Sequence, residues 1–186
     1  MTHGGNIIDE LSTDHREVED LFGRIEALPS GHPDRKQLID EVTIELVRHS
    51  VAEEMYLYPA VREHVANGGA MADKELKDHG EVEKILKRLE GCSAEDPQLD
   101  QLFMALKESV TSHVQDEEIN LFPQLRAACS AEALDTLGDK IRTAKKVAPT
   151  RPHPSAPVTP PANKILAPGA GLVDRVRDFV SGRGKS

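Results

Sequence analysis

Apolar residues recur at helical spacing through five stretches of this chain. Over residues 6–28, Ile7, Ile8, Leu11, Val18, Leu21, Phe22 and Ile25 fall on one helix face. Pro29-Ser30-Gly31-His32-Pro33 is turn chemistry, and Pro33 suits a first helical position. A second helix is predicted over 34–65, stopped by Asn67-Gly68-Gly69. A third covers 71–90 and ends at Gly91, and a fourth covers 98–128. Ser130 can cap a short fifth helix over 131–145, with Leu134, Leu137 and Ile141 on one face. Pro59 and Pro123 fall inside the second and fourth helices. Each lacks a backbone donor and crowds the preceding turn, so a kink or break is predicted there. Short connections between four long helices predict an all-α fold, an up-down-up-down four-helix bundle.

The pattern changes after the fifth helix. Prolines 149, 152, 154, 157, 160 and 161 make a Pro-rich extension that reads as a semi-rigid linker. The predicted organisation is a bundle over 1–146, a Pro-rich linker over 147–171 and a short amphipathic helix or tail over 172–186. Leu172, Val173, Val176, Phe179 and Val180 form an apolar stripe, with charges on the other side. The expected role of that stripe is docking on this bundle or on a partner, either a second copy or another protein. Membrane contact is weaker, because Asp174 and Asp178 dilute the basic face. The linker prolines are not expected inside a helix.

Composition narrows the partners. Residues 147–186 hold six Lys/Arg and two Asp/Glu, while residues 1–146 hold 17 basic and 30 acidic residues, a net −13. So acidic a body argues against nucleic acid, which needs a basic footprint. No segment approaches the ~18 consecutive apolar residues of a membrane span. The N-terminal residues lack the basic and apolar stretches of a secretion signal, so the cytoplasm is the expected compartment. Cys92 and Cys129 bracket one long helix and are expected as separate reduced thiols.

The chain also repeats itself at an offset of 64 residues. Asp14-His15-Arg16-Glu17-Val18-Glu19 returns as Asp78-His79-Gly80-Glu81-Val82-Glu83. His49 with Glu53, Glu54, Tyr58 and Pro59 returns as His113 with Glu117, Glu118, Phe122 and Pro123. Residues four apart on a helix face the same way, so His49/Glu53 and His113/Glu117 each offer two donors on one face. His15 and His79 add one imidazole each. A lone His-x3-Glu is usually a locally paired surface couple. Two copies with matched flanks, on faces that also carry Phe22, Leu46, Leu86 and Val110, point inward. Two metal ions held mainly by imidazoles and bridged by the two glutamates are the natural occupants, since burying these groups without compensation is costly. Imidazole plus carboxylate without thiolate suits iron, manganese or zinc. The Glu-x-x-His pattern of ferritin-like di-iron proteins is absent, because Ser12, Leu46, Leu76 and Val110 precede the four histidines by three.

The order His … His-x3-Glu … His … His-x3-Glu, with Glu-Glu-x3-aromatic-Pro continuations, resembles the hemerythrin-like (HHE cation-binding) domain of actinobacterial type over about residues 6–145. The resemblance implies a non-haem di-iron centre with a bridging oxo or hydroxo group. Its ligands would be His15, His49, Glu53, His79, His113 and Glu117. Oxygen-carrying hemerythrins bring His-x3-His from their third helix, whereas this chain has His79-x3-Glu83. Glu83 and its mate Glu19 are read as orienting the histidines from behind, or as ligands. Tyr56 follows His49 by seven residues and Glu53 by three, on the ligand face, where it could donate to or bind iron. Tyr58 is expected to be structural. Similar domains are associated with catalase-like activity and nitric oxide response. The expectation is therefore handling of peroxide, oxygen or nitric oxide, first of all peroxide breakdown, with Glu53, Glu117 and Tyr56 at the reacting centre. The alternative is a non-catalytic iron- or oxygen-sensing or oxygen-binding module that signals through its C-terminal tail.

Overall fold

The computed structural model describes residues 3–181 and 183, and every regular element among them is helical. Residues 1, 2, 182 and 184–186, the outer ends of the expected bundle domain and tail, lie outside the described residues. Helix α1 (Ile7–Glu26) begins where Asn6 Oδ1 accepts from the N–H groups of Ile8 at 2.9 Å and Asp9 at 3.2 Å. That bonding satisfies donors which a helix start leaves open. Helix α2 (Pro33–Ala52) opens on Pro33, as the spacing predicts. It then passes through a π turn over Glu53–Leu57 into α3 (Tyr58–His64). After α4 (Gly68–Gly91), α5 (Leu99–Asp116) repeats the device: a second π turn over Glu117–Leu121 leads into α6 (Phe122–Ala128).

The disturbance predicted at the two prolines thus takes one form twice. Pro59 and Pro123 are the second residues of α3 and α6 and have no N–H for the carbonyl four residues back. The turn before each widens, so that Tyr58 N–H reaches Glu53 O and Phe122 N–H reaches Glu117 O. The glycines after α3 also differ from expectation. The turn falls on residues 65–67, with Asn67 at a φ of 61°. Gly68 starts α4 so close to α3 that a Cβ there would lie 2.0 Å from Val61 O.

α1 packs on α2, α4 on α5, and α2 on α4, which completes the predicted bundle. The apolar core has two parts. One surrounds the edge-to-face pair Phe22–Phe103. The other surrounds Leu57, Tyr58, Leu121 and Leu125. Val18 and Leu46 belong to the first part, Leu11 and Ala52 to the second. His15 and His49 therefore sit at the level between them. Helix α7 (Ala131–Val147), capped by Ser130 Oγ, covers α1 and α2.

The C-terminal region departs from prediction. Helix α8 (Ala162–Ser181) begins ten residues before 172 and carries Pro168 in its interior. It docks on α7 and the first π turn with its polar face. Gly171 lies where a Cβ would meet Val147 O at 2.3 Å, and Asp174 and Asp178 are buried. Asp174 accepts from the Thr150 and Arg151 N–H groups and pairs with His153 at 2.9 Å. Asp178 pairs with Arg151 at 2.7 Å. These charge-assisted contacts offset burial of the aspartates and fix the orientation. The stripe expected to dock faces solvent instead: Leu172 is 63% exposed and Val180 81%. No helix among the described residues is long and apolar enough to cross a membrane. Cys92 and Cys129 are free thiols, and burial raises the pKa of both.

Candidate metal centre

Six side chains meet between the two parts of the core. α1 supplies His15, the ends of α2 and α5 supply His49 and His113, and α4 supplies His79. Glu53 and Glu117 are the first residues of the two π turns, and both are fully buried. The four imidazoles point Nε2 inward. His15 Nε2 lies 3.4 Å from Glu117 Oε2, and His49 Nε2 lies 3.1 Å from Glu53 Oε1. His79 Nε2 lies 3.4 Å from Glu53 Oε2, and His113 Nε2 lies 3.6 Å from Glu117 Oε2. Donor atoms of His15, His49, Glu53 and Glu117 all fall within 4.8 Å of one another. A second such group is Glu53, His79 and His113, and a third is Glu75, His113 and Glu117. Each glutamate therefore belongs to groups on both sides.

These residues fit metal cations. His15 Nε2, Glu53 Oε1 and Glu117 Oε2 are buried without a hydrogen-bond partner. Each such group costs about 1–3 kcal/mol if left unanswered. The inward nitrogens of His79 and His113 face each other at 3.3 Å. Cations at the separate donor groups would answer these atoms, and the donor set suits iron, manganese or zinc.

The outward Nδ1 atoms meet carboxylates, and every one of them comes from another element. Glu118 reaches His15 at 2.8 Å, Asp14 reaches His49 at 3.0 Å and Glu54 reaches His79 at 3.1 Å. Glu75 Oε2 lies 2.8 Å from His113 Nδ1, out of line for a hydrogen bond. An acid behind each imidazole fixes which nitrogen faces inward and raises its basicity. Burial alone would lower the pKa of His49, but Glu53 and Asp14 outweigh it and raise the pKa well above the ordinary value. Burial likewise opposes protonation of His79, while Glu53 and Glu54 bring its pKa up to about 10. Burial works against ionised Glu53 too, yet His49 and His79 hold its pKa well below the usual range. Burial raises the pKa of Glu54 and Glu75.

Glu19 and Glu83 do not stand behind the histidines. Glu19 is exposed and pairs with Arg16 at 2.8 Å, and Glu83 accepts from the His153 N–H at 2.7 Å. A residue four beyond its histidine lies a turn away from Nδ1, and facing elements supply the acids instead. Two of those acids, Glu54 and Glu118, are repeat mates directly after the paired glutamates, which is the signal that marks them. Asp14 has a mate, Asp78, but that residue pairs with Lys74 at the surface. Glu75, one turn before His79, takes its place, and nothing in the repeat points to it.

Tyr58, not Tyr56, enters the cluster. The π turn inserts a residue between His49 and the next core position, so the phase of a straight helix no longer holds. Tyr58 Oη lies 2.9 Å from His79 Nε2, 3.1 Å from Glu117 Oε1 and 3.4 Å from Glu53 Oε2. Burial and then the carboxylates, Glu117 foremost, push its pKa well above 10. Tyr56 packs beneath Lys164, whose Nζ lies 4.4 Å from the ring centroid. Phe122, the repeat mate of Tyr58, stacks on His15 with centroids 5.8 Å apart and planes 3° apart. A cavity of about 20 Å³ beside the cluster is lined by the four histidines and by Val18, Leu46, Val82, Val110 and Val114, among others. It holds a molecule of about the size of water.

Residues 6–125 match the family model described as Hemerythrin HHE cation binding domain. An uncharacterized hemerythrin-like protein of Schizosaccharomyces pombe is 28% identical over 175 residues, covering 94% of this chain and 86% of that protein. A Nostoc protein named DNA nickase is 29% identical over 142 residues, and the match covers 75% of this chain but 39% of the nickase. The crystal structure of a hemerythrin HHE cation binding domain-containing protein from Mycobacterium kansasii superposes with a TM-score of 0.66 at 22% identity. That match covers 76% of this chain and 85% of the other, and it speaks for the fold.

Proposed function

The chain belongs to the hemerythrin HHE cation-binding family, and on that premise we propose that it holds two non-haem iron ions and breaks down peroxide in catalase-like fashion. His15 and His49 would hold one ion and His79 and His113 the other, with Glu53 and Glu117 shared between them and an oxo or hydroxo group completing the centre. Bound iron supplies the change between ferrous and ferric states that peroxide disproportionation requires.

The observation that carries this reading is a buried phenol, Tyr58, within hydrogen-bond distance of His79, Glu117 and Glu53. Tyr58 keeps its proton at neutral pH, because burial and the surrounding carboxylates hold its pKa well above 10. It is thus a fixed donor 2.9 Å from His79 Nε2 and 3.1 Å from Glu117. A separate cavity of about 20 Å³, lined by the four histidines and by Val18, Leu46, Val82, Val110 and Val114 among others, leaves room for one small molecule against the imidazoles. The acids at the Nδ1 atoms of His15, His49 and His79 hold those rings in one orientation. Simple oxygen carriage is less well served, because position 83 offers no second imidazole.

The DNA nickase name stays with the Nostoc protein, of which this chain spans 39%. A net charge of −13 over residues 1–146 opposes phosphate binding. The test is oxygen evolution from hydrogen peroxide. Iron-loaded protein is expected to produce it in proportion to its iron, and His49→Ala to abolish it. If the loaded protein evolves no more oxygen than His49→Ala, the enzymatic reading fails.

A further inference from the structure

A mainly apolar cavity lies outside the bundle, between α2, α4 and the C-terminal extension. Its volume is about 320 Å³, at the lower end for small-molecule sites. Val47, Val51, Val82 and Leu86 form one wall, and Val158 and Leu166 belong to the other. It is open to solvent along Ser155, Ala156 and Pro157, which are exposed. At its floor it reaches His79 and Glu54. Ser50, His79 and Val82 line both this cavity and the smaller one inside the cluster, so these three residues are the partition between them.

We propose that this cavity is a binding site for an uncharged, mainly apolar organic molecule carrying one O–H or N–H donor, held against the outer side of His79. The class follows from the lining. The charges at the rim are already matched: Arg151 pairs with Glu90 and Asp178, each at 2.7 Å, and His153 pairs with Asp174 at 2.9 Å. Glu83 accepts from the His153 N–H, and Glu54 is taken by His79. An ionic ligand would find no free counter-charge among these groups and would have to break a pair. The group left over is Asn163. It is 3% exposed, and its Nδ2 donates to Val158 O at 3.1 Å. That bond fixes which way the amide faces and leaves Oδ1 buried with no donor. A ligand hydroxyl or amine would supply one. A hydroxyl would also serve the Arg151 Nε–H, which has no acceptor.

The site exists because α8 is seated by its aspartates. Those contacts bring Asn163, Leu166 and Ala167 over the groove between α2 and α4, which the bundle alone leaves uncovered. This inference goes beyond peroxide breakdown and does not depend on it: His79 turns its inward nitrogen away from this cavity, and Asn163 and the aliphatic walls are placed without iron.

The test uses the full chain with N-phenyl-1-naphthylamine, a neutral fluorescent probe with one N–H donor. The chain has no tryptophan, so Ala156→Trp at the cavity rim supplies the sole tryptophan, excited selectively beyond the tyrosine band, as energy donor to the probe. The expected result is saturable binding of about one probe per chain, with strong transfer from the rim tryptophan. Ala167→Trp, which fills the cavity, should weaken binding at least roughly tenfold, and Asn163→Leu by several-fold. Val176→Asp, on the exposed stripe of α8, should leave it unchanged. Loss of binding in Val176→Asp with retention in Ala167→Trp would move the probe to the stripe and overturn the proposal. So would absence of saturable binding, or transfer from Ala156→Trp no stronger than from Ala128→Trp on α6.

Discussion

The two halves of the buried cluster share a ligand pattern and differ in what surrounds it. On one side His15 and His49 lie beside both glutamates, and Phe122 lies flat on His15. On the other, His79 and His113 lie near a phenol that touches His79, Glu117 and Glu53 together. The acid behind His15, Glu118, is neutralised by Arg16 and partly exposed. The acid behind His79, Glu54, is buried, and its pKa is raised. The larger cavity also ends on the His79 side. The repeat therefore duplicates the donors without making two equal sites. The buried phenol and the end of the larger cavity both lie on the His79 half.

Removing a shared ligand should do more than removing one confined to a half. Glu53→Ala is expected to lose nearly all iron, and His15→Ala about half of it, as measured by metal analysis after loading under identical conditions. Equal losses would mean that Glu53 is not shared. Exchanging the two aromatics comes next. Tyr58→Phe makes the halves alike and should lower peroxide turnover by roughly 10²-fold, the usual weight of a positioned proton donor. Phe122→Tyr leaves Tyr58 in place and should preserve most of the activity, as should Tyr56→Phe. A large loss in Tyr56→Phe alone would restore the straight-helix phase that the π turn replaces.

The smallest effect concerns the metal-free chain. Burial alone would lower the pKa of His79, but Glu53 and Glu54 bring it to about 10, and His49 is raised as well. A raised histidine stabilises the fold fully below its unfolded value of about 6.5 and loses that contribution as pH rises through the folded value. The raised carboxyls of Glu54 and Glu75 act in the same direction above about 4.5. The melting temperature of metal-free protein should therefore fall between pH 6.5 and 10. His79→Gln should flatten that fall. A profile unaffected by His79→Gln would show that this half carries no such charge pair.

Much of this was legible in the sequence. The bundle followed from apolar spacing and short turns, and the six converging residues followed from the 64-residue repeat. What could not be read was the turn geometry between them. Pro59 and Pro123 announced a disturbance, but whether a helix kinks, breaks or widens depends on which carbonyl finds a donor. Widening moved Tyr58 into the cluster and Tyr56 out of it. Glu19 and Glu83 looked apt because they stood one turn from the histidines. The acids came instead from neighbouring helices, whose rotation one chain segment does not encode. The C-terminal stripe misled for a related reason. Apolar residues normally turn inward, but Asp174 and Asp178 found Arg151, His153 and Thr150, and those contacts set the face.

The central claim is a centre of two unlike metal sites that share their carboxylates. Mössbauer spectra of protein loaded with iron-57 test it most directly. The account predicts about two iron per chain and two quadrupole doublets of equal area, of which Tyr58→Phe shifts one. A single doublet at about one iron per chain would contradict it.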